Sequence, residues 1–292
     1  MNAAVTRAAA TRAAGAQSNS RAWDVRVPRR TALAREINAT FAIAWREVLR
    51  AVKAPSSLVI TLLFPVLFIG VLGGNISANL GASLPYAYMP FMLIGMIANS
   101  MYQGTIAGIT NLVEERENDF TAELFVAPIS RYAVLLGKMI GSAIAALVSL
   151  VGILAMIVIM QIPMNLGDLL RVIAVTPILA LAGGSLGIIF IGFVHNPKTA
   201  AVGMPLLVFP QMFLSGALIP VAASSGILGF LSKVAPMTYS IDLARNIFYM
   251  GKPEYAATVL NPLWLDLGVT AALFLVFTIV GTYFFVRADR AK

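Results

Sequence analysis

Cysteine is absent from the 292 residues, so disulfides and thiolate metal centres are excluded. Histidine occurs once, as His195 in the short turn His195-Asn196-Pro197-Lys198, which leaves little basis for an imidazole metal site or proton relay. Charge is scarce too: 12% of residues are charged against 59% apolar, too little polar surface to cover a water-soluble globule of this length. The scarcity is uneven. Residues 54–113 form a stretch of sixty without one charged side chain, and it ends abruptly in Glu114-Glu115-Arg116-Glu117-Asn118-Asp119.

A bilayer core about 30 Å thick needs only about 20 apolar helical residues. The uncharged stretch must therefore cross twice, with a turn expected from Gly73-Gly74-Asn75 to Pro85. Further charge-free windows cover 139–167, 172–197, 199–232 and 267–286. The fold class this implies is an all-α integral membrane protein with six transmembrane helices, at 57–74, 86–113, 132–160, 169–193, 200–220 and 264–286. Six spans put both termini on one side. That side collects 17 of the 21 lysines and arginines, including the three from Arg116 to Lys138. The other receives Arg171, Lys233, Arg245 and Lys252. The basic majority is expected in the cytoplasm, both termini with it. The net charge of +8 is then a topological signal and a basic tail, with no nucleic-acid partner expected. Tyr86, Tyr88 and Trp264 fall at the expected outer boundary, and Trp45 and Tyr283 near the inner one.

Residues 1–32 are rich in Ala, Arg and Ser with a single acid, Asp24, and read as a disordered cytosolic tail; Arg29-Arg30 is not followed by the short apolar core of a twin-arginine signal. From residue 33 the pattern changes. Leu33, Ile37, Phe41, Ala44, Val48 and Val52 recur at steps of three or four while Arg35, Arg46, Glu47 and Arg50 take other faces, which describes an N-terminal amphipathic interfacial helix. The region 33–292 reads as one transmembrane domain.

Residues 114–123 hold five acids and one Arg on an otherwise cationic face. Pro128 ends a short helix and Ser130 can cap the next. Glu117, Phe120 with Thr121, and Leu124 follow at helical steps, so the segment is either a protruding acidic and apolar edge or a solvated acidic loop.

Here the chain resembles a known family. Leu112-Val113-Glu114-Glu115-Arg116-Glu117, then Thr121-Ala122-Glu123-Leu124 and Ala127-Pro128-Ile129-Ser130, look like the cytosolic loop of permease subunits of type-2 ABC transporters, in the daunorubicin-exporter and nodulation-exporter branch. A second match lies in Phe213-Leu214-Ser215-Gly216-Ala217-Leu218-Ile219-Pro220 and in Pro236-Met237-Thr238-Tyr239-Ser240-Ile241-Asp242-Leu243-Ala244-Arg245. The resemblance runs over about 33–286. It implies a cytosolic coupling helix after span two that docks on a separate ABC ATPase, with Glu114, Glu115, Glu117, Thr121, Glu123, Leu124 and Pro128 as the contact set. It also implies short outer re-entrant helices between spans five and six, with Phe213, Met237 and Tyr239 near the outer gate of the substrate path.

No cofactor is expected on this chain; ATP and Mg belong to the partner ATPase. The residues agree, since Gly137-Lys138 is followed by Met139 rather than Ser or Thr, and Tyr132 stands where a phosphate loop needs its first Gly. The chain itself is then not an enzyme. A second permease subunit, identical or a paralogue, completes the path in a bacterial plasma (inner) membrane, for efflux of an amphipathic drug, lipid or glycolipid. Gly104 and Gly108, Gly137 and Gly141, and Gly183 and Gly187 allow close helix approach, within one chain or at a dimer seam. The alternative is an ion-coupled secondary transporter or channel. A transporter of that kind keeps ionisable groups inside its helices, and none is expected deep in these spans, Asp266 lying at an end. For a channel the one polar concentration is Asn99, Tyr102, Gln103 and Asn111 on span two.

Overall fold

The computed structural model describes residues 29–54, 59, 63, 65–117, 130–162, 164–221 and 224–290, which are largely helical with no strand among them. In chain order the α-helices are α1 (Arg29–Lys53), α2 (Gly74–Leu80), α3 (Tyr88–Glu117), α4 (Arg131–Ile159), α5 (Leu166–Phe193), α6 (Pro197–Leu214), α7 (Gly226–Val234), α8 (Pro236–Tyr249), α9 (Tyr255–Thr258) and α10 (Leu263–Arg290). Residues 1–38 and 39–292 are separate compact units. Of the first, the described part is the opening of α1; the second is a helical bundle.

Among the described residues, three helical runs are long and apolar enough to cross a bilayer: Arg131–Ile159, Leu166–Phe193 and Tyr255–Ala288. The apolar part of α5 is 67% buried and that of the last run 28%, so α5 is the axis of the bundle and α10 turns most of its surface outward. Among the long helices of the bundle, α3 is the polar one, because Asn99, Ser100, Tyr102 and Gln103 occupy its middle. It can be polar because its neighbours cover it: from Phe91 to Tyr102 every residue is buried.

Small residues set these contacts. A Cβ on Gly183 of α5 would stand 2.1 Å from the Tyr102 carbonyl oxygen of α3, and one on Gly108 of α3 would stand 2.1 Å from the Ser142 hydroxyl of α4. A Cβ on Gly281 of α10 would stand 2.6 Å from the Ile189 backbone of α5. All three glycine pairs marked in the sequence are thus used for packing within the chain. Gly137 and Gly141 receive α1: their Cβ positions fall 2.8 Å from the Thr40 carbonyl oxygen and 2.7 Å from Ala44 Cα.

The expected boundaries of spans two, three, four and six agree with α3, α4, α5 and α10 to within a few residues. Two expectations are corrected. The turn does not open at Gly73: a π-helical segment, Phe68–Gly73, runs straight into α2, and the chain bends only beyond Leu80. Gly73 is there for proximity, with its Cβ position 2.9 Å from the Met92 sulfur. The fifth helix stops at Leu214 rather than 220, because Gly216 takes φ +78°, a left-handed conformation that ends helices and suits glycine.

Candidate functional site

Three features of the bundle carry polar chemistry. The first is a groove of about 280 Å³ between α3 and α6. Gln103, Ile106, Ala107, Thr110, Asn111 and Glu114 succeed one another at helical steps along α3 and form one wall; Ala200, Met204, Pro205, Val208 and Phe209 of α6 form the other. The α3 wall is a polar stripe and the α6 wall is apolar. Gln103 donates to Asn99 Oδ1 at 2.7 Å, and Thr110 bonds back to the Ile106 carbonyl, so the polar groups are held in fixed orientations. Glu114 closes the groove at one end and is exposed.

The second feature lies at that same end, where α1 crosses α4. Thr40, Ile43, Ala44 and Glu47 form the edge of α1 that packs on Gly137 and Gly141, while Phe41 and Trp45 point outward at 70% and 63% exposure. Lys138 is 1% exposed and its ammonium reaches Glu47 Oε1 at 2.9 Å and Glu115 Oε1 at 2.7 Å. Arg46 bridges both acids at 3.0 Å, and Arg50 also pairs with Glu115. Two carboxylates and three cations thus tie α1, α3 and α4 together. Burial by itself would raise the Glu115 carboxyl, but the charge and hydrogen bond of Lys138, with Arg46 and Arg50, hold it below the usual value.

The third feature is at the opposite end, around α8. Asp242 accepts the backbone N–H groups of Leu260 and Asn261 at 2.7 to 3.0 Å, and Asp266 accepts the side-chain amides of Asn246 and Asn261. Arg245 donates to the Gly216 carbonyl at 2.5 Å and stacks 3.6 Å above the Phe91 ring, so it pins the turn after α6 onto α3. Tyr88 reaches the same turn, donating to the Leu218 carbonyl at 2.6 Å. Lys252 pairs with Asp168 at 2.9 Å and so fastens the segment after α8 to the first turn of α5.

Against these, the residues singled out from sequence fall in different places. Glu114 faces the groove, whereas Glu115 is engaged in the ionic cluster. Glu117 is the last residue of α3. Thr121, Glu123, Leu124 and Pro128 lie outside the described residues. Phe213 is half-exposed near the end of α6; Met237 is sealed in the core, and Tyr239 donates to the Lys233 carbonyl at 2.7 Å, joining α8 to α7. Lys138, counted from sequence only among the cytoplasmic-side cations, is 1% exposed two turns into α4. Its partners Glu47 and Glu115 are far away in the chain, so the pairing left no local pattern.

The sequence model of the ABC-2 type transporter family matches residues 38–249. Nodulation protein J of Neorhizobium galegae is 28% identical over 208 residues, spanning 70% of this chain and 76% of that protein. Nodulation protein J of Rhizobium leguminosarum bv. trifolii is 27% identical over 216 residues, spanning 72% and 79%, and that of Rhizobium meliloti (strain 1021) is 24% identical over the same length and shares. The family match begins within α1 and ends with α8, so it takes in the groove, the ionic cluster and most of the α8 network. What the helices leave as a broad class of membrane protein is thereby decided: this chain is a membrane permease subunit of the ABC-2 type transporter family.

Proposed function

We propose that the chain is the membrane-spanning half of an ATP-driven exporter for an amphipathic drug, lipid or glycolipid. It crosses the bacterial inner membrane six times with both termini in the cytoplasm, and residues 33–292 act as one domain. Two such halves, identical or paralogous, meet around the path, and a separate ATPase supplies the energy. The observation that carries this reading is the continuity of α3. One unbroken helix bears the polar wall of the groove and runs on through Glu114 and Glu115 to Glu117, so it carries the first acids of the acidic segment. A push on residues 114–130 from a closing partner would move the groove wall as a rigid rod, which is what alternating access requires. The groove's mixed lining suits a cargo with one polar and one apolar face.

Ion-coupled transport is the weaker reading. Lys138, Asp242 and Asp266 are buried, as such a transporter needs. They are engaged in ion pairs and hydrogen bonds, however, instead of lining the groove. The deciding experiment replaces Glu117 and Glu123 with Lys and measures ATPase co-purification and transport. The double variant should lose the ATPase and its transport while remaining in the membrane. Retention of both activities would remove the proposed dock.

A further inference from the structure

Helices α4 and α10 both pack on α5 but hardly on each other. The gap between them is a second groove, of about 380 Å³, within the range of small-molecule sites. Leu135 and Ile188 form its floor; Tyr132 and Leu136 on one side and Ile279 and Tyr283 on the other form its rims. No charged residue lines it, and all four rim residues are exposed, from 43% at Leu136 to 66% at Ile279. In a membrane protein such a surface is covered by lipid tails.

The mouth of this groove is different in kind. Arg131, next to Tyr132, donates to the Val286 carbonyl at 3.4 Å, which places its guanidinium beside the last turns of α10. Arg287 is exposed and stands one helical turn beyond Tyr283, on the same side of α10. The chain after Val286 carries Arg287, Arg290 and Lys292 against the single acid Asp289. Tyr132 and Tyr283 thus flank the end of the trough at which Arg131 reaches α10 and Arg287 follows one turn on, at the level that the charge distribution assigns to the inner leaflet.

We infer that this trough is a binding site for one anionic phospholipid of the inner leaflet, its acyl chain between α4 and α10 and its phosphate between Arg131 and Arg287. A tail needs a dry, uncharged slot and a phosphate needs donors at one end; basic sites between helices on the cytoplasmic side recognise acidic headgroups for this reason. The lipid would act as a wedge that sets the spacing of α4, and through it the position of the α1 cluster. The inference rests on the six-span orientation proposed above.

The test uses the full chain in nanodiscs of mixed phosphatidylglycerol and phosphatidylcholine, with lipids retained on gentle extraction counted by native mass spectrometry. The wild type should retain one phosphatidylglycerol in preference to phosphatidylcholine. Arg287→Gln should cut that preference about fivefold, the effect of removing one near-surface arginine. Ile279→Trp, which fills an exposed rim without disturbing the core, should abolish retention of either lipid. Equal retention of the two lipids by the wild type, or unchanged retention in both variants, would overturn the site. So would an Ile279→Cys variant that forms disulfide dimers in the membrane, since a second copy would then cover the trough. Orientation is read separately, by which face of the membrane an Arg287→Cys thiol is labelled from, so the site and the topology can fail independently.

Discussion

Lys138 is the residue at which burial and charge are most sharply opposed. An ammonium deep in a helix bundle is tolerable only with its partners in place, and here Glu47 and Glu115 both lie within 3 Å. Replacing it with Met would leave two carboxylates facing each other with less compensation, and breaking a buried pair in this way costs about 3–5 kcal/mol. The expected result is a large fall in the thermal midpoint of the purified chain, with a smaller fall for Glu115→Gln, which leaves Lys138 its bond to Glu47. Acidity gives a second signature. The Glu115 carboxyl is lowered from its ordinary 4.5 in the folded chain. Its ionised form therefore favours folding: the contribution is complete above that value and is lost as pH falls through the lower, folded one. Wild type and Glu115→Gln should differ by a constant amount above pH 4.5 and converge in stability as pH falls below it. Curves that stay parallel from acid to neutral pH would show that Glu115 is not stabilised by its cationic neighbours.

At the level of whole helices, the seam between α1 and α4 depends on what Gly141 lacks. A methyl there would meet Ala44 Cα and its carbonyl oxygen at 2.7 Å, backbone that cannot step aside, whereas a methyl on Gly268 of α10 would meet nothing within 4 Å. Gly141→Ala should therefore destabilise by about 1–3 kcal/mol through overpacking. Gly268→Ala should be neutral or stabilise by up to about 1 kcal/mol through helix propensity. Thermal unfolding of the two single variants side by side is the check, and equal shifts would mean that α1 does not sit on α4 as described. The same seam shows what could be read in advance. Helix positions were legible because charged residues punctuate an apolar chain, and α3, α4, α5 and α10 start and stop near those marks. The outward face of α1 was legible by its period at Phe41 and Val52, but Ala44, read on the same stripe, turns inward onto Gly141. The inward edge was not legible, since Thr40 and Glu47 are polar and look like a solvated face. Gly73 misled for the opposite reason: in a packed bundle glycine marks close approach as often as a turn.

For the molecule as a whole, the acidic segment after α3 was legible as a motif, but the groove was not. Its walls come from residues about a hundred positions apart, and the polar stripe from Gln103 to Glu114 gains its meaning only when α6 lies opposite. The topology turns on that same helix. With 18 residues, α6 is about 27 Å long, close to but short of a hydrocarbon core of about 30 Å. Pro205 and Pro210 each withdraw a backbone donor within it. If α6 crosses, Lys198 at its start and Lys233 in α7 lie on opposite faces; if it only dips into the bilayer, they lie on one face and the count of spans changes. The chain has no cysteine, so single Lys198→Cys and Lys233→Cys variants at these two exposed positions each present one thiol. An impermeant maleimide should label the Cys at 233 in intact cells and the Cys at 198 only after permeabilisation. Labelling of both from the same side would remove α6 as a span. The groove between α3 and α6 could then no longer run from one face of the membrane to the other, and the path would have to be sought between other helices.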